Sequence, residues 1–232
     1  MSNRMSNRSL PSPARGRGSG VKGVNDYLNH SDLTMQTSNI SNLCQSDALI
    51  IVDVQNDFLP GGALGVSQGD QVVPLLNHYI QYFRRAELPV YATRDWHPPD
   101  HCSFTAQGGI WPPHCIADSE GAQFPPDLLI PADSQIVSKA TTRNQDAYSG
   151  FQGTRLAQQL HSAGVLRVFV GGLATDYCVL NTVKDALKEG FQVVLLKDAI
   201  RAVNLNPGDG DRAIQEMLEL GATTQQLEDL AA

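Results

Sequence analysis

Residues 48–53, Ala-Leu-Ile-Ile-Val-Asp, decide the fold because five consecutive apolar residues run directly into a carboxylate. A strand that is apolar at every position is typical of a parallel sheet covered on both faces. The first strand is predicted over residues 48–54, and four further runs are predicted as strands at residues 89–93, 135–137, 166–171 and 192–196. Helices are predicted between them at residues 71–85, 153–163, 176–188 and 211–220. This alternation indicates an α/β fold, a single-domain open and mostly parallel sheet with helices on both faces.

The first 45 residues do not follow this pattern. They are rich in Ser, Asn, Gly and Arg and lack a sustained apolar period. Such a composition predicts a disordered basic N-terminal arm over residues 1–45, followed by one domain over residues 46–232. The purpose of the arm stays open between plain disorder, a transit peptide and a start codon assigned too early, with Met35 available downstream.

The composition also limits the partners. A net charge of −7 argues against nucleic acid, because proteins that bind it carry a basic patch or stripe. No apolar run approaches the roughly 20 residues that cross a bilayer, so no membrane partner is expected. Four cysteines without C-x-x-C spacing suit a reducing compartment, and a cytoplasmic location is expected. The expected partner is a small-molecule substrate, and assembly into a homo-oligomer stays open.

Polar residues follow the predicted strands, at the edge where open α/β sheets bind ligands. Asp53 follows the first strand, Lys139 follows the third, and Cys178 lies near the start of the helix after the fourth. A carboxylate can serve as a base toward a thiol, while a helix N-terminus and a nearby ammonium both lower a thiol pKa. Each residue alone also fits a structural role, as a turn cap, a solvated lysine or a packed cysteine. Their shared position at one rim predicts a cysteine nucleophile.

Asp95, His97, His101 and His114 lie on the loops that follow the second predicted strand. Carboxylate and imidazole ligands together suit a borderline divalent cation and do not distinguish Zn from Fe or Mn. The Pro-Pro pair between His97 and His101 indicates a rigid loop rather than a helix. Loop histidines are more often solvated, but three of the six histidines in the chain fall in this short stretch. The sequence therefore predicts one bound divalent metal ion.

Taken together, these segments resemble the cysteine hydrolases of the isochorismatase-like superfamily, and within it the nicotinamidases. The resemblance covers about residues 47–202. It is carried, besides Lys139, by Ile-Val-Asp-Val-Gln-Asn-Asp-Phe (51–58), Asp-Trp-His (95–97), Trp-Pro-Pro-His-Cys (111–115), Ala-Tyr-Ser-Gly-Phe (147–151) and Gly-Leu-Ala-Thr-Asp-Tyr-Cys-Val (172–179). The metal loop separates nicotinamidases from relatives that keep the Asp and the Lys but lack this loop.

The resemblance implies a metal-dependent nicotinamidase, which hydrolyses nicotinamide to nicotinate and ammonia through a cysteine thioester and serves NAD salvage. Pyrazinamide is the implied second substrate. In this relationship Asp53, Lys139 and Cys178 are the catalytic residues. The backbone N–H groups of Ala174 and Cys178 would form the oxyanion hole, and the peptide bond between Leu173 and Ala174 would be cis.

The same resemblance implies a ring pocket lined by Phe58, Trp111 and Tyr148. The divalent metal, with zinc ahead of iron or manganese, would bind the pyridine nitrogen of the substrate. Its implied ligands are Asp95, His97, His101 and His114. The alternative is a related isochorismatase-like amidase that acts on another small amide. A non-enzymatic scaffold is disfavoured because a binding module has no need of an Asp, a Lys and a Cys together.

Overall fold

The computed structural model describes residues 43–230, so the predicted arm lies outside it except for its last three residues. Within the described residues the strands are β1 (Asp47–Val52), β2 (Val90–Asp95), β3 (Gln135–Lys139), β4 (Arg167–Leu173), β5 (Gln192–Arg201) and β6 (Thr223–Gln225). The α-helices are α1 (Val72–Arg85), α2 (Leu156–Ser162), α3 (Leu180–Lys188), α4 (Asp209–Glu219) and α5 (Leu227–Leu230). A π-helical turn at Thr175–Val179 precedes α3, and short 3₁₀ turns lie at Asn56–Phe58, Gly69–Gln71 and Thr105–Gln107.

The six strands form one sheet in the order β3-β2-β1-β4-β5-β6, and every neighbouring pair is parallel. Strand β1 is fully buried because it packs on both sides. Leu49 and Ile51 face the core under α1 and α5, whereas Ala48, Ile50 and Val52 face the core under α2, α3 and α4. The predicted α/β fold is confirmed, with a sheet that is wholly rather than mostly parallel.

Besides shifts of up to three residues at other ends, four details differ from the sequence prediction. Strand β5 runs five residues past its predicted end, to Arg201, and the short helix α5 was not predicted. The edge strand β6 was not predicted, because its three residues, Thr-Thr-Gln, are polar and carry no apolar run. The predicted helix over residues 176–188 is an α-helix only from Leu180, because residues 175–179 form the wider π turn. No helix among residues 43–230 combines the length and apolar character needed to cross a membrane.

The topological switch of the sheet lies between β1 and β4, where the chain order reverses and such folds bind ligands. Val52 pairs with Gly172 at this point. Gly172 has a φ of +125°, and a Cβ atom there would stand 2.1 Å from the carbonyl oxygen of Val52. Only glycine therefore permits the close approach of the two strand ends. This approach brings the residues that follow β1 next to those that follow β4.

Candidate active site

The side chain of Lys139 is the centre of the polar cluster at the sheet's carboxyl edge, and only 1% of the residue is exposed. Its Nζ lies 2.9 Å from Asp53 Oδ2 and 3.6 Å from Cys178 Sγ. It also forms an ion pair with Asp95 Oδ1 and donates to the carbonyl oxygen of Ala147 at 3.0 Å. The structure thus brings together the three residues predicted as catalytic. It adds Asp95, which pairs with Lys139 because β2 and β3 end in register.

Burial controls the protonation of this cluster. Burial raises the pKa of Asp53 above its ordinary value, although the nearby Lys139 ammonium lowers it. Burial also raises the pKa of the Cys178 thiol well above its usual range, and the charges of Asp53 and Asp95 add to this against the opposing effect of Lys139. Lys139 keeps its proton, because the two carboxylates outweigh burial and raise its pKa. The sequence prediction of a lowered thiol pKa is therefore wrong in its net direction, although Lys139 acts on the thiol pKa as predicted.

Asp53 is held by a contact that the sequence did not indicate. The hydroxyl of Thr93, the fourth residue of β2, donates a hydrogen bond of 2.6 Å to Asp53 Oδ1. Asp53 itself adopts a φ of +46° immediately after β1, a backbone conformation that is uncommon for residues other than glycine. One oxygen of the carboxylate thus faces Thr93 and the other faces Lys139, which fixes its orientation toward the thiol.

The turn that carries Cys178 begins at a cis peptide bond between Leu173 and Ala174, as the resemblance implies. The carbonyl oxygen of Ala174 accepts hydrogen bonds from the N–H groups of Tyr177 and Val179 at 3.1 and 3.0 Å. These bonds close the π turn around Cys178, which is 6% exposed. Ala174 and Cys178 line the same cavity, which is where an oxyanion hole built from their N–H groups would need to be.

Asp95, His97 and His114 form a buried metal-ligand group, with potential ligand atoms within 4.8 Å of one another. The Nδ1 atom of His97 donates to the carbonyl oxygen of Ala140, and that of His114 donates to the carbonyl oxygen of Pro112. Each ring therefore keeps its Nε2 lone pair for a metal, as ligating histidines do. Burial, together with the neighbouring histidines, lowers the pKa of His97 to about 3, so this ring is neutral at pH 7. These residues fit a divalent cation.

His101 is not part of the metal-ligand group in this structure. Its ring stacks on His97 with the centroids 4.2 Å apart. Its Nε2 atom donates to the carbonyl oxygen of Gln145 at 3.1 Å, and its Nδ1 atom lies 2.8 Å from Ser103 Oγ. Both ring nitrogens therefore have protein partners, and His101 would have to give up one of these contacts to bind a metal.

A narrow, mostly apolar cavity opens between Cys178 and the metal-ligand group. The three predicted pocket residues, Phe58, Trp111 and Tyr148, line it, and Trp111 Nε1 donates a hydrogen bond of 2.9 Å to the Tyr148 hydroxyl. Sequence reasoning missed Leu64, Tyr177 and Val203, which also line it. Of these three, only Tyr177 could have been suspected from the sequence, because it directly precedes Cys178. Its ring packs edge-on against that of Trp111, with the ring centroids 5.1 Å apart.

A larger cavity of about 960 Å³ lies elsewhere, beside the starts of β2 and β3. None of the predicted site residues lines it. We therefore place the candidate active site at the smaller cavity, where Cys178 and the metal-ligand group meet.

Comparison with known proteins gives the evolutionary context of this site. Residues 47–229 match the family model described as "Isochorismatase domain". The chain belongs to the isochorismatase family. Within this family, a nicotinamidase from Escherichia coli (strain K12) is 39% identical over 203 residues, which are 78% of this chain and 95% of that protein.

Two solved structures of the family share both sequence and fold with this chain. The pyrazinamidase of Pyrococcus horikoshii in complex with zinc is 48% identical with a TM-score of 0.75, and the match covers 78% of this chain and 99% of that one. PnC1 from L. infantum in complex with nicotinate is 40% identical with a TM-score of 0.73, and the match covers 79% of this chain and 94% of that one.

Proposed function

We propose that this chain is a metal-dependent nicotinamidase, which hydrolyses nicotinamide to nicotinate and ammonia and also accepts pyrazinamide. One observation carries the proposal: Cys178 and two members of the metal-ligand group, Asp95 and His114, line the same aromatic cavity. A flat heteroaromatic amide needs such a cavity, with apolar walls and a few polar groups that fix its orientation. The names of the relatives, nicotinamidases and a pyrazinamidase, point to the same substrates.

The reaction begins with a proton transfer inside the buried cluster. Asp53 accepts the thiol proton of Cys178 as the sulfur attacks the carboxamide carbon, and the nearby Lys139 ammonium stabilises the negative charge that the two share. The backbone N–H groups of Ala174 and Cys178 stabilise the oxyanion that forms. Because burial raises the pKa of the Cys178 thiol, the transfer of its proton to Asp53 is part of the attack step.

The second half of the reaction releases the products. Asp53 returns its proton to the leaving nitrogen, so that the C–N bond breaks and ammonia departs from a thioester on Cys178. A water molecule then gives a proton to Asp53 and adds to the thioester carbon. When this adduct collapses, the acid departs and ionises to nicotinate in solvent, while Asp53 passes its proton to the departing sulfur and restores the Cys178 thiol. Each half requires Asp53 to be ionised at its start.

The proposed metal site uses Asp95, His97 and His114. When bound, a divalent cation supplies an electron-pair acceptor for the ring nitrogen of a pyridine or a pyrazine. Zinc is proposed ahead of iron or manganese, since three nitrogen and oxygen ligands with an open position are a common zinc arrangement, and the Pyrococcus horikoshii enzyme binds zinc. Ligation by His101 stays a prediction, because it requires the loop to release one of its contacts.

Several broader statements belong to the same proposal. A role in NAD salvage follows from the products, and the free thiols of all four cysteines suit a cytoplasmic location. Assembly into a homo-oligomer and the division into an arm at residues 1–45 and a domain at residues 46–232 stay predictions.

An ammonia-release assay tests the proposed function. The metal-loaded protein should release ammonia from nicotinamide, and a chelator should suppress this release. Benzamide has the same shape without the ring nitrogen and should be a much poorer substrate. The Cys178→Ala variant should be inactive, whereas Cys102→Ala serves as the matched control. If folded, metal-loaded protein releases no ammonia from nicotinamide, the alternative is favoured, namely an amidase for another small amide.

A further inference from the structure

One wall of the cavity comes from a loop that has no strand or helix of its own. Val203 lies in the loop at residues 202–207, between β5 and α4, and lines the cavity together with Cys178. The carboxylate of Asp176, in the turn that carries Cys178, holds this loop from the opposite side. Asp176 Oδ1 accepts the N–H of Val203 at 2.9 Å, and Oδ2 accepts the N–H of Asn204 at 2.8 Å.

The two hydrogen bonds fix a loop conformation that is otherwise unfavourable. Asn204 has a φ of +54°, so successive N–H groups converge on one carboxylate, an arrangement that binds anions well. The side chain of Asn204 continues the connection, since its Oδ1 accepts the N–H of Gly210 in the first turn of α4 at 2.9 Å. The Val203 wall is thus tied to the nucleophile's turn at one end and to α4 at the other.

Both carboxylate oxygens of Asp176 are engaged by backbone N–H groups of the loop, those of Val203 and Asn204. Cys178 itself is held by the packing of β4 and by the hydrogen bonds that close its turn. The two oxygens of Asp176 point to the loop, so its contribution is to the shape of the cavity.

We propose that Asp176 is a positioning residue that sets how tightly the cavity binds its substrate, because it holds Val203 against the ring. The choice of nicotinamide as the probe rests on the proposed function. In Asp176→Asn, the amide group would present an N–H to one of the two backbone N–H groups. One hydrogen bond is then lost, the loop moves outward, and the ring loses an apolar contact.

The test is a double-substitution cycle on the metal-loaded enzyme. Asp176→Asn and Val203→Ala should each raise KM for nicotinamide by about tenfold, the scale of one buried aliphatic contact, while kcat stays within about twofold. The double variant should resemble either single variant, because Asp176 acts through Val203. Asp211→Asn, an exposed carboxylate on α4, is the matched control and should leave KM unchanged.

A second measurement does not depend on turnover. Hydrogen–deuterium exchange of the peptide that contains residues 202–206 should be faster in Asp176→Asn than in the unsubstituted protein and in Asp211→Asn. Unchanged exchange would overturn the role of Asp176. An active enzyme whose KM is unchanged in Asp176→Asn, or whose two substitutions have additive effects, would overturn it too. An inactive unsubstituted enzyme contradicts the proposed function instead, and the exchange result then still decides whether Asp176 holds the loop.

Discussion

Replacement of Lys139 by methionine is the sharpest perturbation that the structure offers. Methionine fills a similar buried volume but carries no charge. The substitution leaves Asp53 and Asp95 without their shared cation, next to a thiol that must ionise. We expect Lys139→Met to lose nearly all activity while the sheet stays intact.

The magnitude follows from the distances. At 3.6 Å from the sulfur, the ammonium stabilises a developing thiolate by about 4 to 5 kcal/mol for an effective dielectric constant of about 20. This energy corresponds to a rate factor of roughly a thousand. The loss of the cation also raises the pKa of Asp53 further, because Lys139 is the main group that lowers it. At neutral pH more of Asp53 is then protonated and unable to act as a base, so both effects reduce the rate.

Two assays separate these effects from unfolding. Ammonia release from nicotinamide gives kcat/KM, which should fall by about a thousandfold or more. The rate of Cys178 alkylation as a function of pH should shift to higher pH, since the thiol pKa rises. Lys184→Met is the matched control, because Lys184 pairs with Glu216 on the surface and should affect neither assay. A kcat/KM within tenfold of the unsubstituted enzyme, from folded Lys139→Met protein, would refute this account of the cluster.

Three further predictions concern the metal, the base and the fold. His97→Ala should lose its stoichiometric metal in elemental analysis, and retained metal would exclude His97 as a ligand; the same measurement on His101→Ala decides the predicted ligation by His101. Because Asp53 must be ionised and burial raises its pKa, kcat/KM should fall on acidification at a higher pH than for an ordinary carboxyl. Thr93→Val removes a hydrogen bond that lowers the pKa of Asp53, so kcat/KM should fall at a still higher pH. An unchanged pH dependence in this variant would exclude Asp53 as the titrating base. Gly172→Ala should cost about 3 kcal/mol or more in urea unfolding, whereas a loss below about 1 kcal/mol would contradict the close approach at the strand ends.

The strands that could be predicted are those whose burial requires apolar residues in the sequence. Strand β1 was evident because both of its faces are buried and, after the initial Asp47, all of its residues up to Val52 are apolar. Strand β6 was not, because it adds backbone hydrogen bonds to β5 with three polar residues. The π turn before α3 was also missed, since its hydrogen bonds converge on the carbonyl oxygen of Ala174 and leave no apolar spacing in the sequence.

Some residues of the candidate site could also be found from the sequence and others could not. Residues that directly follow strands, such as Asp53 and Lys139, were found because parallel strands end at one edge. Thr93 and Val203 were missed, because neither stands out from ordinary strand and loop residues until the chain is folded. His101 was grouped with the metal ligands because three histidines cluster in one stretch and because the resemblance implies it, but neither could reveal the carbonyl of Gln145 that its ring contacts.

The thiol pKa is the clearest physical limit of sequence reasoning. A helix N-terminus and a lysine both predict a lowered value, and each is present near Cys178. The net direction is nevertheless upward, because burial and the charges of two carboxylates act against them. The balance depends on distances and on burial, which no sequence pattern contains.

The central claim is that Cys178 attacks the amide carbon, and mass spectrometry of a quenched reaction tests it most directly. Enzyme in turnover with nicotinamide is stopped in acid, which preserves thioesters, and its peptides are analysed. We expect a nicotinoyl group on Cys178 and on none of the other cysteines. Ammonia release without any acyl group on Cys178, or with the group on Cys44, Cys102 or Cys115, would contradict it.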